Sequence, residues 1–293
     1  MKQRPQRKPD WLKVKVPGGD GFKRIDRFHR EHGLNTVCRS AACPNQGECW
    51  GNGTATFMIL GDRCSRNCGF CNVAHGELQP PDPEEATKVA RAIAELKLRH
   101  AVVTAVTRDD LPDGGARQFS ELVEAIRQTA PDCKIELLIS DLQGNREALE
   151  IILDSGPDIL GHNLETVPRL YEKARQGADY QRSLNLLRQS LEIAPMIPTK
   201  SGLMLGMGEE RNEIEQTLYD LHETGCRMLT LGQYLSPTRN HLPVARYVTP
   251  EEFATLKELA DGLGFAHVES GPLVRSSYHA EQQLMEADHG DNI

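Results

Sequence analysis

The sequence predicts an α/β fold, a partial (β/α)6 barrel of the TIM type with an extension at each end. Three observations lead there. Short apolar runs alternate with helical patterns from residue 54 to residue 264. Each run is too short for an independent helix and is rich in β-branched or aliphatic residues. The polar, glycine-rich segments stand just after the runs, at GDRC, TRDDLPDGG, SDLQG, HNLE, GMGEE and GQYLSPT.

The expected strands are TATFMILG (54–61), AVVTAV (101–106), KIELLIS (134–140), DILGHNLE (158–165), KSGLMLG (200–206) and RMLTLGQY (227–234). Between and after them lie helices. The one at 84–98 follows a Pro-Asp-Pro start signal, and the one at 116–130 follows a glycine pair and stops before Pro131. Patterns at 146–156, 181–194, 210–225 and 250–264 complete the set, some ending at a glycine. Strict alternation implies a parallel sheet with right-handed crossovers. Six units are fewer than a closed barrel needs, and in either an open barrel or a doubly wound sheet chemistry collects at the C-terminal strand ends.

Residues 1–53 hold turn formers and little periodicity, as in PGG, HGLN and PNQGECWGNG. They predict an extended arm with short helical turns, held by something other than a core. Residues 265–293 add a short apolar run and then RSSYHA. The expected organisation is therefore an arm (1–53), a barrel (54–264) and a C-terminal extension (265–293).

The 293-residue chain has no apolar run of membrane-spanning length. Its start, MKQRPQRKPDW, is basic but lacks the apolar stretch of an export signal. Eight cysteines without such a signal point to a reducing cytoplasm, where spaced cysteines serve as metal ligands or catalytic groups more often than as disulfides. The net charge is −8, yet residues 1–30 carry ten Lys and Arg against three Asp, which leaves −15 on the rest. An acidic body excludes general nucleic-acid binding. The basic arm suits an acidic partner or is a solvated tail.

Residues 61–75, GDRCSRNCGFCNVAH, follow the first strand and space Cys64, Cys68 and Cys71 as C-x3-C-x2-C. Four thiolates would close a zinc or iron–sulfur site, whereas three around a four-iron cube leave one iron open to substrate or cofactor. A zinc clip with a distant fourth ligand is the competing reading, but zinc knuckles come as two C-x2-C pairs and here there is one. The motif, with Phe70 before its last cysteine, closely resembles that of radical S-adenosylmethionine enzymes. The resemblance implies a [4Fe–4S] cluster on the three cysteines and S-adenosylmethionine on its open iron, cleaved to a 5′-deoxyadenosyl radical. It also implies a full or partial (β/α) barrel.

A second trio stands upstream in CRSAACPNQGEC: Cys38, Cys43 and Cys49. The pair of trios resembles the lipoyl synthase family, together with TRDDLPDGGA, HNLETV, TKSGLMLGMGE, LTLGQYLSPT and RSSYHA, segments spread over nearly the whole chain. The resemblance implies an auxiliary [4Fe–4S] cluster on the second trio, with a serine of the RSSY segment as fourth ligand. Ser277 is favoured and Ser276 is the alternative. An alkoxide is harder than a thiolate and binds a soft centre less well, which suits a cluster that is consumed. Such a site would also tie the arm to the tail.

The implied activity is insertion of two sulfur atoms, at C6 and C8, into an octanoyl chain on a lysine of a lipoyl carrier protein or domain. The sulfur comes from the auxiliary cluster, and electrons come from a donor such as ferredoxin or flavodoxin. A monomer is expected. Other sulfur-inserting or dehydrogenating enzymes of the superfamily, and an iron–sulfur electron carrier, are the rival readings.

Further candidates surround these. LMLGMGE ends a strand and opens a helix, so Gly206 and Gly208 allow backbone approach to an anionic group such as a carboxylate. Asn163 and Glu165 are two apart on a strand end and can reach ribose hydroxyls or an ammonium. Arg108 could hold a carboxylate bidentately, with Asp109 and Asp110 read as charge balance. Lys200 is a candidate polar contact in the site. Cys133 and Cys226 read as core filler.

Overall fold

The apolar runs are buried at nearly every position, as strands covered on both faces are, and the helical crossovers make neighbouring strands parallel. In the computed structural model, which describes residues 7–14, 18–40, 43–51 and 55–278, the strands are β1 (Thr56–Ile59), β2 (His100–Ala105), β3 (Lys134–Leu138), β4 (Ile159–Gly161), β5 (Thr199–Leu205), β6 (Met228–Gln233) and β7 (His267–Gly271). They pair in chain order into one parallel sheet. The ladder runs from β1 to β7 and, among the described residues, no pairing joins those two ends. The barrel is open. Lys2, Arg4, Lys15, Thr54 and the His279–Ala280 end of RSSYHA lie outside the described residues.

Helices α2 (Glu85–Leu96), α3 (Ala116–Thr129), α4 (Arg146–Asp154), α5 (Tyr180–Ile193), α6 (Arg211–Glu223) and α7 (Pro250–Leu263) follow the expected patterns, and α1 (Asp20–Glu31) lies in the arm. Local chemistry fixes their ends. Asn145 and Asp179 accept N–H bonds at the starts of α4 and α5. Thr249 and Glu252 form a capping box around Pro250. The seventh strand departs from the six expected units. Gly264 closes α7 at φ +100° and turns the chain back, so His267–Gly271 pairs with β6 inside the segment read as a separate extension.

One parity of each strand faces the helices. Phe57, Ile59, Ala101, Val103, Ile135 and Leu137 pack against Ile93, Phe119, Leu122 and Ile152. Leu203, Leu205, Leu229 and Leu231 pack against Ile214, Leu218, Phe253 and Leu256. The other parity lines the barrel, and there the reading of Lys200 fails. Lys200 lies near the N-terminal end of β5, fully buried, with Nζ 2.8 Å from Glu136 Oε1. His100 Nε2 stands 3.4 Å from the other carboxylate oxygen. The three form a polar floor at the end of the barrel away from the cysteines. Burial pushes the Glu136 carboxyl up, but the Lys200 charge and the His100 contact outweigh it and hold it below the usual range.

The arm also differs from expectation, because it does have apolar packing. Ile25 and Trp50 are fully buried against the barrel layer with Leu34 and Cys38. Trp50 stacks on Phe22 and His29, and His29 meets Phe57. The arm lies along the open edge of β1, where Met58 N–H donates to Asn35 O and Thr36 Oγ1 donates to Thr56 O. Covering that edge removes a row of unpaired backbone groups.

Glu136→Gln should leave Lys200 as an unpaired buried charge and cost about 3–5 kcal/mol, read as a fall of order 10 °C in melting temperature. Combining Glu136→Leu with Lys200→Met should recover most of that loss. A single variant within about 1 kcal/mol of the parent would contradict the pairing.

Candidate functional site

The C-terminal strand ends carry the loops of interest. The loop after β1 places Cys64, Cys68 and Cys71, all partly buried. Cys64 Sγ accepts N–H bonds from Arg66 at 3.4 Å and Thr107 at 3.3 Å, and Cys71 Sγ accepts one from Val73 at 3.5 Å. Burial pushes the Cys68 thiol up to about 12, with Arg175 opposing, and the Cys71 thiol up to about 11. Each of these two thiols feels Cys64. Such thiols lose their protons readily only to a cation that replaces them.

Three neighbouring thiols with N–H donors on sulfur are a soft set that fits an iron–sulfur cluster. Among the described residues no three His, Cys, Asp or Glu side chains close on the single point one ion would need.

The loop is held from several sides. Arg66 forks onto Asp109 at 2.7 and 2.8 Å, and Nη2 also reaches Asp141 at 2.6 Å. Asp141 in turn accepts from Arg182 Nε at 2.9 Å. His241 Nε2 donates to Cys71 O at 2.9 Å, and Leu242 N–H donates to Gly69 O. Phe70 packs beside Met207, Tyr234 and Leu242.

The second trio faces the same mouth. Cys38 is in the short helix Val37–Ser40 and Cys49 in Gln46–Gly51. Burial pushes the Cys43 thiol up, and its neighbour Cys38 adds to this; the Cys49 thiol is pushed up to about 12 by burial and by Cys43. Asn72, next to Cys71, donates to Ser40 O at 2.7 Å and joins the two cysteine segments. The tail joins from the far side. Asn45 Nδ2 donates to Leu273 O at 2.6 Å, and Tyr278 OH donates to Glu48 Oε1 at 3.1 Å. Arg275 lies within electrostatic reach of Cys43. Ser276 Oγ donates to Asn163 Oδ1 at 3.3 Å.

Asn163 Nδ2 also donates to Glu165 Oε1 at 3.1 Å. Glu165 sits at φ +67°, a strained backbone for a non-glycine residue and one associated with functional positions. Burial pushes its carboxyl up, against the pull of Arg175 and Asn163. Arg175, which the sequence reading missed, is buried beneath the loop, bonded through Nη1 to Tyr171 OH and Ser183 Oγ. It lies electrostatically next to Cys68 and Glu165. Nothing in ARQGADY marks it, because its burial depends on α5 packing. His162 is fully buried beside it, held to Ile139 O and lowered to about 3 by burial and Arg175.

Two further expectations change. Arg108 is committed to Asp110 through two bonds of 2.8 Å and to Leu60 O at 3.3 Å. Asp110 balances the Arg108 charge in this structure. Gly206 and Gly208 do form an anion-binding turn at φ +109° and +117°, but the carboxylate in it is Glu209. That side chain accepts N–H bonds from Gly206 at 2.8 Å, Met207 at 3.1 Å and Gly208 at 3.3 Å. A Cβ on Gly206 would lie 2.3 Å from Gln233 Nε2 and 2.5 Å from Arg246 O, so no side chain fits there.

The Radical SAM superfamily model matches residues 58–221. Lipoyl synthase of Thioalkalivibrio sulfidiphilus is 54% identical over 96% of this chain and 88% of its own. That of Methylococcus capsulatus is 55% identical over 95% and 87%, and that of Nitrosococcus oceani 56% over 95% and 86%. Among solved structures, the FeFe-hydrogenase maturase HydG of Carboxydothermus hydrogenoformans superposes with a TM-score of 0.58 at 14% identity, covering 91% of this chain and 68% of that one. Methylornithine synthase gives 0.55 at 13%, covering 85% of each. The structural likenesses bear on the fold alone.

Asp141 supplies a pH test. Burial pushes its carboxyl up, but bonds from Arg66 and the charges of Arg66 and Arg182 prevail and hold it at about 2. A lowered folded-state value stabilises above the unfolded value near 3.9 and is lost as pH falls toward 2. A shift of this size is worth on the order of 2–3 kcal/mol. Melting temperature should therefore fall between about pH 5 and 2, and Asp141→Asn should flatten that fall. An unchanged profile in the variant would exclude Asp141 as its source.

Proposed function

Because the chain belongs to the lipoyl synthase family of radical S-adenosylmethionine enzymes, we propose that its two cysteine trios are the two cluster sites that activity needs. The reaction inserts two sulfur atoms, at C6 and C8, into a protein-bound octanoyl-lysine, with sulfur drawn from the auxiliary [4Fe–4S] cluster. The observation that supports this reading best is that both trios and the Ser276–Ser277 segment face one barrel mouth, tied by Asn72, Asn45 and Tyr278.

In this reading Cys64, Cys68 and Cys71 hold the cluster that binds S-adenosylmethionine, whose reductive cleavage supplies the hydrogen-abstracting radical. Asn163 and Glu165 hold cofactor polar groups, Phe70 packs the cysteine loop, and Arg175 is the cation best placed for the cofactor carboxylate. Gly206 and Gly208 shape the neighbouring backbone, with Glu209 filling their N–H turn. Lys200 and Arg108 take no part in cofactor contact.

Cys38, Cys43 and Cys49 hold the auxiliary cluster. Ser276 is engaged with Asn163, whereas Ser277 has no hydrogen-bond partner among the described residues, which favours Ser277 as the fourth ligand.

The partner is an octanoylated lipoyl carrier protein or domain. Six buried methylenes at about 0.8 kcal/mol each give about 5 kcal/mol, an affinity of order 0.1–1 mM. Carrier contacts must therefore add to the acyl chain, and the basic arm, Lys13 included, is the proposed place. A ferredoxin or flavodoxin supplies electrons, and the enzyme acts as a cytoplasmic monomer. Among the described residues no helix is long and apolar enough to cross a membrane.

The experiment is anaerobic reconstitution, reduction, and addition of S-adenosylmethionine with an octanoyl-lysyl peptide, read by mass spectrometry. Gain of two sulfurs with formation of 5′-deoxyadenosine is expected. Cys68→Ala should abolish both. Cys43→Ala and Ser277→Ala should keep cofactor cleavage but lose at least tenfold in sulfur insertion. An unmodified peptide from wild-type protein holding both clusters would overturn the assignment.

A further inference from the structure

The tail crosses the barrel mouth over one residue that has no side chain. Gly232, on β6, belongs to the strand parity that faces the barrel interior, opposite to Leu229 and Leu231. A Cβ there would lie 2.1 Å from Val274 O, 3.0 Å from Val274 C and 3.3 Å from Arg275 Nη1. The first two atoms are backbone, so no rotation of a side chain relieves the overlap.

The tail cannot simply move aside either. Val274 is buried, and its N–H donates to Gly271 O at 3.1 Å. Asn45, itself buried, grips the preceding carbonyl at 2.6 Å. Ser276 and Tyr278 are bonded on the far side to Asn163 and Glu48. The segment is pinned between β6 and the Cys43–Cys49 stretch.

We propose that Gly232 is a positioning residue for the auxiliary centre. Its bare backbone seats residues 273–275, so that the serine pair is presented to Cys38, Cys43 and Cys49. This rests on the reading of the second trio as a cluster site. Relief of the overlap requires a shift of about 1 Å, whereas metal–ligand distances tolerate about 0.2 Å. A methyl group at position 232 therefore separates the tail from the trio without touching any ligand. The first trio, on the loop after β1, keeps its own supports.

Gly232→Ala in the full chain tests this in two ways. The first uses protein without clusters. Trypsin cleavage after Arg275, followed by mass spectrometry of the released 276–293 peptide, should be at least about tenfold faster in the variant. Gly262→Ala, where an added Cβ meets nothing within 4 Å, should digest like the parent. The second uses reconstituted protein. Iron should fall from about eight to about four per chain, 5′-deoxyadenosine formation should stay within about twofold, and sulfur insertion should be lost.

Should Gly232→Ala fail to fold, as judged by its melting curve, Asn45→Ala releases the same segment from the other side and should give the same split. Parent-like protection together with a full iron content in either folded variant overturns the proposal. Wild-type protein that takes up only about four irons overturns instead the reading of the second trio. The tryptic comparison, made without iron, still tells whether Gly232 seats the tail, so the two failures are distinguishable.

Discussion

The guanidinium of Arg66 is the interaction on which the site depends. Arg66 stands between Cys64 and Cys68 in the sequence of the loop after β1, and its guanidinium binds Asp109 from the loop after β2 and Asp141 from the loop after β3. One side chain thus locks three loops to each other. The desolvation of these buried charges is costly, and such networks are weak sources of stability. Their value lies in geometry. A bidentate fork has one good orientation, so the cysteine loop has one position. Arg182 extends the network from α5 and ties the loops to a helix with its own apolar packing.

A parallel sheet gathers its loops at one end, but it leaves two edges and a mouth. The arm closes one edge by bonding to β1 and burying Trp50, and the last strand extends the other edge to β7. The mouth is crossed by the tail. The arm around Asn45–Glu48 and the tail at Leu273–Tyr278 therefore meet at the same place, and each is held by the barrel as well as by the other. Metal binding would add to an arrangement that backbone and side-chain hydrogen bonds already define.

The barrel has polar groups at both ends for different reasons. At the mouth, Asn163, Glu165 and Arg175 keep polar groups near the cysteines. At the floor, Lys200 bonds Glu136, and His100 stands 3.4 Å from the second oxygen of the same carboxylate. A charged residue at the start of a strand and one at its end look alike in a sequence, yet they lie at opposite ends of the barrel.

The sequence by itself determined the alternating strands and helices, the two cysteine trios, the RSSY segment and the family. These signals are local: periodicity and ligand spacing survive without knowledge of what packs where. Only the tertiary structure decided that Lys200 pairs with Glu136 across β4, that Arg108 is held by Asp110, and that Glu209 occupies the turn at Gly206. It also revealed Arg175, the packing of the arm on Trp50 and the seating of the tail on Gly232. In each case the partner comes from a distant segment or from a carboxylate that folds back locally. Partner choice follows from register, curvature and burial, which exist only once the strands have assembled.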